Sequence, residues 1–308
     1  MGVKSSRVAP LAVALSAAVV AASGASAQAV DAPDVFWSPA RPAEGELFVV
    51  RVAPASGDPV VLIAGRAMSE ALHFERAADG SFVSLAAVPL GEQSEVSVAL
   101  TLVYADGREG TLEARVPVSP GTYDHRQLNV APELGAPPTA AQQARRAREA
   151  AMAAEVSTAS HRTPRIWTSD IILPRDDRVT SSFGDGRIFN GQVSSRHTGL
   201  DLDGEPGDTV LAAARGVVAI VGQFELAGNN VYINHGGGLV SAYFHLSEQL
   251  VSVGDTVDAG TPIGRVGATG RVTGPHLHWV VRYGHTSVDP RSLIPASEEV
   301  PSRPSAVF

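Results

Sequence analysis

The 308-residue chain has no cysteine, and no lysine after Lys4. Without cysteine there are no disulfides, no thiolate ligands and no lipid-bearing cysteine behind a leader, so any metal must be held by His, Asp and Glu. Without lysine beyond residue 4 there is no Walker-type phosphate loop, no Schiff-base chemistry and no lysine-linked cofactor. Charged residues are few at 18%, against 44% hydrophobic, which describes a packed protein rather than a disordered one. No apolar run reaches the ~20 residues that a bilayer-spanning helix needs.

The first residues read as an address. Lys4 and Arg7 precede an apolar run over residues 9–22, and Ala25-Ser26-Ala27 gives a small-x-small cleavage pattern. This predicts a secretory signal peptide over 1–27, cut after Ala27, and an exported chain that is periplasmic or extracellular, with no transmembrane segment once cut. Cleavage removes two positive charges and takes the net charge from −8 to −10. An acidic chain is a poor candidate for binding nucleic acid or anionic membrane surfaces, so neither is expected as a partner.

Residues 28–130 alternate as β structure does. Leu47-Phe48-Val49-Val50, Val60-Val61-Leu62-Ile63 and the stretches 81–88 and 96–104 are separated by turn residues, and Asp106-Gly107 joins 96–104 to 111–118 as a hairpin. About seven short strands in this length predict an immunoglobulin-like sandwich. His73 and His125 stand alone there and read as surface or structural residues. Residues 131–165 read as a connector. Pro137-Pro138-Thr139 with Gln142 forms a capping box for a helix running to about Val156, too polar for a core and suited to a strap on a domain surface. From 166 to 296 glycine becomes frequent, and Gly207-Asp208-Thr209-Val210 recurs as Gly254-Asp255-Thr256-Val257. Duplicated strand-turn-strand units predict a compact, strand-rich sandwich barrel. Residues 297–308 read as a flexible tail, and the whole chain as mainly β.

Six of the nine histidines fall within 197–285. His276 and His278 are two apart and on a strand share one face. His197 and Asp201 are four apart, with Gly199 between them arguing against a helix, so on an extended segment they too share a face. Imidazole and carboxylate suit zinc, and a catalytic zinc keeps three protein ligands and an open position. His197, Asp201 and one member of the His276/His278 pair supply that set. The other member and His245 are left to accept a proton or stabilise an oxyanion. Spacing alone does not say which of the pair is the ligand.

His197-Thr-Gly-Leu-Asp201, Ala-Tyr-Phe-His245-Leu, and Gly267-Ala-Thr-Gly-Arg-Val-Thr-Gly-Pro-His276-Leu-His278-Trp, closed by Val288-Asp289-Pro290, resemble the lysostaphin/LytM family of zinc metallopeptidases. Phe183-Gly184 and Phe189-Asn190-Gly191 extend the resemblance to about residues 180–295. It implies one zinc ion per chain on His197, Asp201 and His278, with His245 and His276 in catalysis, and hydrolysis of peptide bonds in peptidoglycan crosslinks or bridges. A β sandwich before the peptidase domain resembles one branch of the family. Some relatives keep this fold, lose the ligands and regulate other wall hydrolases; all five residues are present here. A facial triad for iron would present His-x-Asp/Glu rather than His-x-x-x-Asp. The Gly-Asp-Thr-Val repeat resembles biotinyl or lipoyl carriers, which need a lysine that this chain lacks.

The other candidates carry less. His235 reads as structural, His285 as a loop residue near the site, Tyr243 as sharing the His245 face of its strand and able to line the cleft, and Asn190 as a possible contact of the metal region or substrate. Gly267-Ala268-Thr269-Gly270 reads as a turn beside the His276 strand.

Overall fold

The computed structural model describes residues 32–55, 59–91, 94–127, 138–168, 171–189 and 192–300. The predicted signal peptide, Pro137, Asn190 and Gly191 lie outside the described residues. No helix among the described residues is long and apolar enough to cross a membrane.

The N-terminal half is a sandwich of two four-stranded sheets. Its strands are β1 (Asp34–Ser38), β2 (Leu47–Ala53), β3 (Val60–Ala67), β4 (Glu70–Leu72), β5 (Glu75–Arg76), β6 (Phe82–Ala87), β7 (Glu95–Tyr104) and β8 (Glu109–Pro117). The sheet orders are β1-β2-β6-β5 and β4-β3-β7-β8. In β7 alternate residues Val96, Val98, Leu100 and Leu102 turn into the sandwich core, and the intervening side chains face out. The β7–β8 hairpin turns at Gly107, whose φ of +86° suits glycine.

Strands β2 and β6 do not alternate in burial, because both of their faces are covered. Phe48, Val50, Val52, Phe82 and Ala86 enter the sandwich core. Leu47, Val49, Val83, Leu85 and Ala87 join the core of the C-terminal half. Polar ties flank this joint. Glu70 accepts hydrogen bonds from the His285 N–H (3.0 Å) and the Thr286 hydroxyl (3.1 Å), Tyr283 donates to the Ala71 carbonyl (2.8 Å), and Arg165 pairs with Glu75 (2.6 Å).

Beyond β9 (His125–Gln127), helix α1 (Ala140–Arg162) opens on the capping box read from the sequence: the Thr139 hydroxyl accepts from the Gln142 N–H, and the Gln142 side chain reaches back. It runs about two turns beyond Val156, because Ala153, Val156, Ser157 and Ser160 are buried on one stripe against the C-terminal sheet. His73 is not solitary. Its Nε2 meets Nδ1 of His161 at 2.8 Å, and Nε2 of His161 meets Glu70 Oε2 at 2.9 Å, a contact formed 88 residues along the chain and invisible to local patterning.

The C-terminal half comprises β10 (Val179–Ser181), β11 (Gly186–Phe189), β12 (Gln192–Arg196), β13 (Leu200–Leu202), β14 (Thr209–Leu211), β15 (Gly216–Phe224), β16 (Gly228–Gly236), β17 (Leu239–Leu246), β18 (Glu248–Gln249), β19 (Thr256–Val257), β20 (Pro262–Arg265), β21 (Leu277–Tyr283) and β22 (Thr286–Val288), then α2 (Leu293–Glu298). A large sheet runs β10-β13-β21-β17-β16-β15-β19, with β22 on β21, and a small sheet runs β14-β20-β18. One face of the large sheet buries Tyr243, Trp279, Val281, Leu200 and Leu202 against Val210, Ala212, Ile263 and Val266 of the small sheet and its turns. Toward β21's C-terminal end the opposite face is covered by α1, over Val240, Ala242 and Val280. The repeated Gly-Asp-Thr-Val units form the same turn twice: Asp208 accepts from the Glu205 N–H as Asp255 does from the Ser252 N–H, and Gly207 and Gly254 take φ of +98° and +94°. Val300 remains packed in the core, so ordered packing continues past residue 296, where the sequence suggested a tail.

Two histidines, His235 fully buried and His73 half-buried, give the fold a pH dependence. Burial, helped by the neighbouring His161, pushes His73 down to about 4, and burial pushes His235 to about 4 against the opposing Arg215 carbonyl. Both rings are neutral in the fold, while in the unfolded chain they protonate near 6.5. The unfolded chain therefore takes up protons first as pH falls. Stability is full above pH 6.5 and drains away between 6.5 and 4, His235 alone accounting for ~3 kcal/mol at the acid end. Thermal melts across this window should show a falling midpoint, and His235→Asn should melt lower at neutral pH but with a flatter pH slope. An unchanged slope would remove His235 from this account.

Candidate metal centre

The site grows out of strand pairing. Strands β13 and β21 pair with Asp201 opposite His278, so these two side chains project together from one face. Strand β17 pairs with the other edge of β21 and sets Phe244 opposite His278 on that face, the rings stacked at 5.3 Å between centroids. His197 enters from the turn between β12 and β13. Asp201 Oδ1 lies 2.6 Å from His278 Nδ1 and 3.1 Å from His197 Nε2, and the two nitrogens lie 3.0 Å apart. Among the described residues this is the one group of three such side chains whose donor atoms converge.

The donor set fits a metal ion. Donors held tetrahedrally about 2.1 Å from zinc stand ~3.4 Å from one another, so the cluster accepts an ion by opening each pair by less than ~1 Å. The partners behind the cluster favour it. Nδ1 of His197 donates to the Ser182 carbonyl at 2.8 Å, which leaves Nε2 with its lone pair toward Asp201. Burial raises the Asp201 carboxyl, but the facing imidazoles of His197 and His278 outweigh it and hold it well below the carboxylate range. Burial likewise lowers His278, opposed by Asp201.

Gly199 has a function that the sequence hid. A Cβ there would lie 2.6 Å from the Trp279 carbonyl and 2.7 Å from the His278 ring, so only glycine lets the chain cross between the segments that bear His197 and His278. Phe183-Gly184 supports the same corner, the Gly184 N–H donating to the His197 carbonyl at 2.8 Å.

His245 and His276 stand beside the cluster. His276, bridged through its backbone to Gly267 just before β21, places Nε2 3.7 Å from Asp201 Oδ1, one step outside the converging triad. The His245 ring lies 5.0 Å from that of His276 and 5.9 Å from that of His278 between centroids. Burial pushes His245 down to about 4, against the Thr269 carbonyl, so the ring is neutral near pH 7.

Tyr243 does not share this face. It is fully buried on the opposite side of the sheet, its oxygen accepting from the Ala213 N–H at 2.8 Å. Alternation fails because the β16–β17 register shifts beside Phe244 and His245, and His245 takes a left-handed φ of +64°. The bulge turns His245 onto the Phe244 face. His285 is not near the site either. It lies in the β21–β22 turn against Thr158 of α1, seven residues from His278 and so roughly 20 Å away along the strand. His235 is structural: it is 1% exposed and bonded to the Arg215 carbonyl and the Ser241 hydroxyl.

The family model of peptidase family M23 matches residues 195–290. The peptidoglycan DD-endopeptidase ShyC of Vibrio cholerae is 35% identical over 134 residues, 42% of this chain and 31% of ShyC. ShyA of the same organism, also a peptidoglycan DD-endopeptidase, is 38% identical over 136 residues, 42% of this chain and 31% of ShyA. The stretch matched is thus about a third of the length of these curated relatives. The structure of a putative M23 peptidase from Pseudomonas aeruginosa superposes with a TM-score of 0.62 at 25% identity, covering 83% of this chain and 96% of that one. That overlap is longer than the C-terminal half, so the likeness extends into the N-terminal sandwich. The converging histidines and aspartate all lie inside residues 195–290, the stretch that matches the model of peptidase family M23.

Proposed function

We propose that the chain is a zinc endopeptidase that hydrolyses peptide bonds of peptidoglycan outside the cytoplasm. The convergence of His197 Nε2, Asp201 Oδ1 and His278 Nδ1, with the imidazoles of His245 and His276 beside them, carries the reading. The relatives named peptidoglycan DD-endopeptidases support the substrate class, and the leader read over residues 1–27 supports the compartment.

His197, Asp201 and His278 hold the ion, which when bound supplies Lewis-acid polarisation of a carbonyl and activates a water near neutral pH. The remaining work falls to the chain. His245 donates its Nδ1–H to the Thr269 carbonyl and His276 donates its own to the Gly274 carbonyl, both at 2.9 Å. In its neutral form each ring thereby carries its lone pair on Nε2. Such a pair can take the proton of the attacking water and deliver it to the departing amine, or hold a hydrogen bond to the developing oxyanion once protonated. Phe244, stacked on His278, walls the site on the helix side.

Purified peptidoglycan of several chemotypes, digested by the protein and analysed by mass, tests this. The expected result is release of new peptide ends, beginning with crosslink bonds of the type the relatives' names denote, and its loss on chelation. Absence of both zinc and fragments, from every chemotype, would point instead to a regulator of other hydrolases.

A further inference from the structure

We infer that Thr269 is a positioning residue for His245, using its hydroxyl to pin the left-handed bulge and its carbonyl to set the tautomer of the ring. The inference rests on the catalytic reading of His245 given above.

The geometry poses a problem that Thr269 answers. A regular β17 would aim His245 into the core beside Tyr243. The bulge turns it to the metal side at φ +64°, a conformation that is strained for a non-glycine residue and persists only where its surroundings enforce it. Three segments meet at that point: the start of β16, the end of β17 and the loop entering His276. The Thr269 hydroxyl donates to the Leu246 carbonyl at 2.8 Å and accepts from the Asn229 N–H at 2.9 Å, tying the loop to both strands. The Thr269 carbonyl accepts from His245 Nδ1 at 2.9 Å, and the His245 N–H is held by the Ala227 carbonyl at 2.8 Å. The approach is close enough to demand glycine on both sides. A Cβ at Gly228 would lie 2.3 Å from the Thr269 hydroxyl oxygen, and one at Gly270 would lie 2.4 Å from the Gly228 nitrogen.

The consequence is chemical. With Nδ1–H committed to the carbonyl, the lone pair of His245 sits on Nε2, the nitrogen free to face the reacting centre. The same loop places the Gly274 carbonyl on Nδ1 of His276. One loop thus orders both imidazoles, and the Thr269 side chain is its anchor between β16 and β17. Thr269 touches neither the ion nor the substrate; it acts through His245.

The test uses the full chain with its metal. Thr269→Val keeps the shape and removes the hydroxyl, and is expected to lower kcat by ~10- to 100-fold with KM and metal content unchanged. Thr269→Ser restores the hydroxyl and is expected to stay within about threefold of wild type. Nitrogen shifts of the 15N-labelled histidines, assigned by His245→Gln, should show His245 protonated on Nδ1 in wild type and Thr269→Ser, and a tautomer mixture in Thr269→Val. This readout needs no turnover, so it separates failure of the positioning idea from failure of the peptidase reading. Wild-type kcat in Thr269→Val, or equal losses of metal and melting temperature in both variants with the His245 tautomer unmoved, would overturn the inference.

Discussion

Replacing His278 by alanine is expected to remove metal and turnover together. His278 Nδ1 makes the shortest contact of the cluster, 2.6 Å to Asp201, and its loss leaves two donors where a catalytic site needs three. Several kcal/mol of transition-state stabilisation go with the ion, which is roughly a 10³-fold fall in kcat/KM or more. The effect should not be structural, because the stacking partner Phe244 and the strand pairing of β21 remain. Elemental analysis beside peptide release checks it. If His276→Ala emptied the site and His278→Ala did not, the assignment within the pair would be reversed.

The second large effect separates chemistry from metal binding. His245→Ala and His276→Ala should each keep most of the metal and lose ~10²–10⁴-fold in kcat, the range expected when a general acid–base group is removed. Neither belongs to the converging triad: His276 Nε2 stands 3.7 Å from Asp201, and His245 contacts the cluster through its ring. The double variant should be little worse than the worse single one if the two act on one proton-transfer sequence. Independent, multiplying losses would assign them to separate steps.

The cluster was partly legible because two of its members, Asp201 and His278, sit on paired strands, while His197 enters from the turn before β13. Even spacing put His276 and His278 on one face and His197 with Asp201, and cross-strand register then set Asp201 opposite His278. Spacing left the pair unresolved, since both histidines of an i, i+2 pair face the same way. What distinguishes them is depth along β21: His278 lies inside the paired strand, whereas His276 lies in the bridge before it. Tyr243 was misplaced because alternation assumes an unbroken register, and the bulge at His245 breaks it. His285 was misplaced because nearness in sequence is not nearness in space when a seven-residue strand intervenes.

The N-terminal sandwich was legible from the alternation of β7 and from the Asp106-Gly107 turn. Its docking was not. The Glu70–His161–His73 chain and the two-sided burial of β2 and β6 join segments far apart in sequence, and no local pattern distinguishes a strand buried on both faces from a merely apolar one. The helix was foreseen through its capping box, but its end was placed too early. Ser157 and Ser160 look polar in sequence and are buried against the sheet, with the Ser160 hydroxyl donating to the Ser157 carbonyl.

The central claim is that His197, Asp201 and His278 hold one catalytic zinc ion. The most direct measurement is the metal content of the purified chain, wild type against His197→Ala, by elemental analysis without added metal. The account predicts one zinc per wild-type chain and near none in the variant. A wild-type chain carrying tightly bound iron and no zinc, or a variant that keeps its zinc, would contradict it.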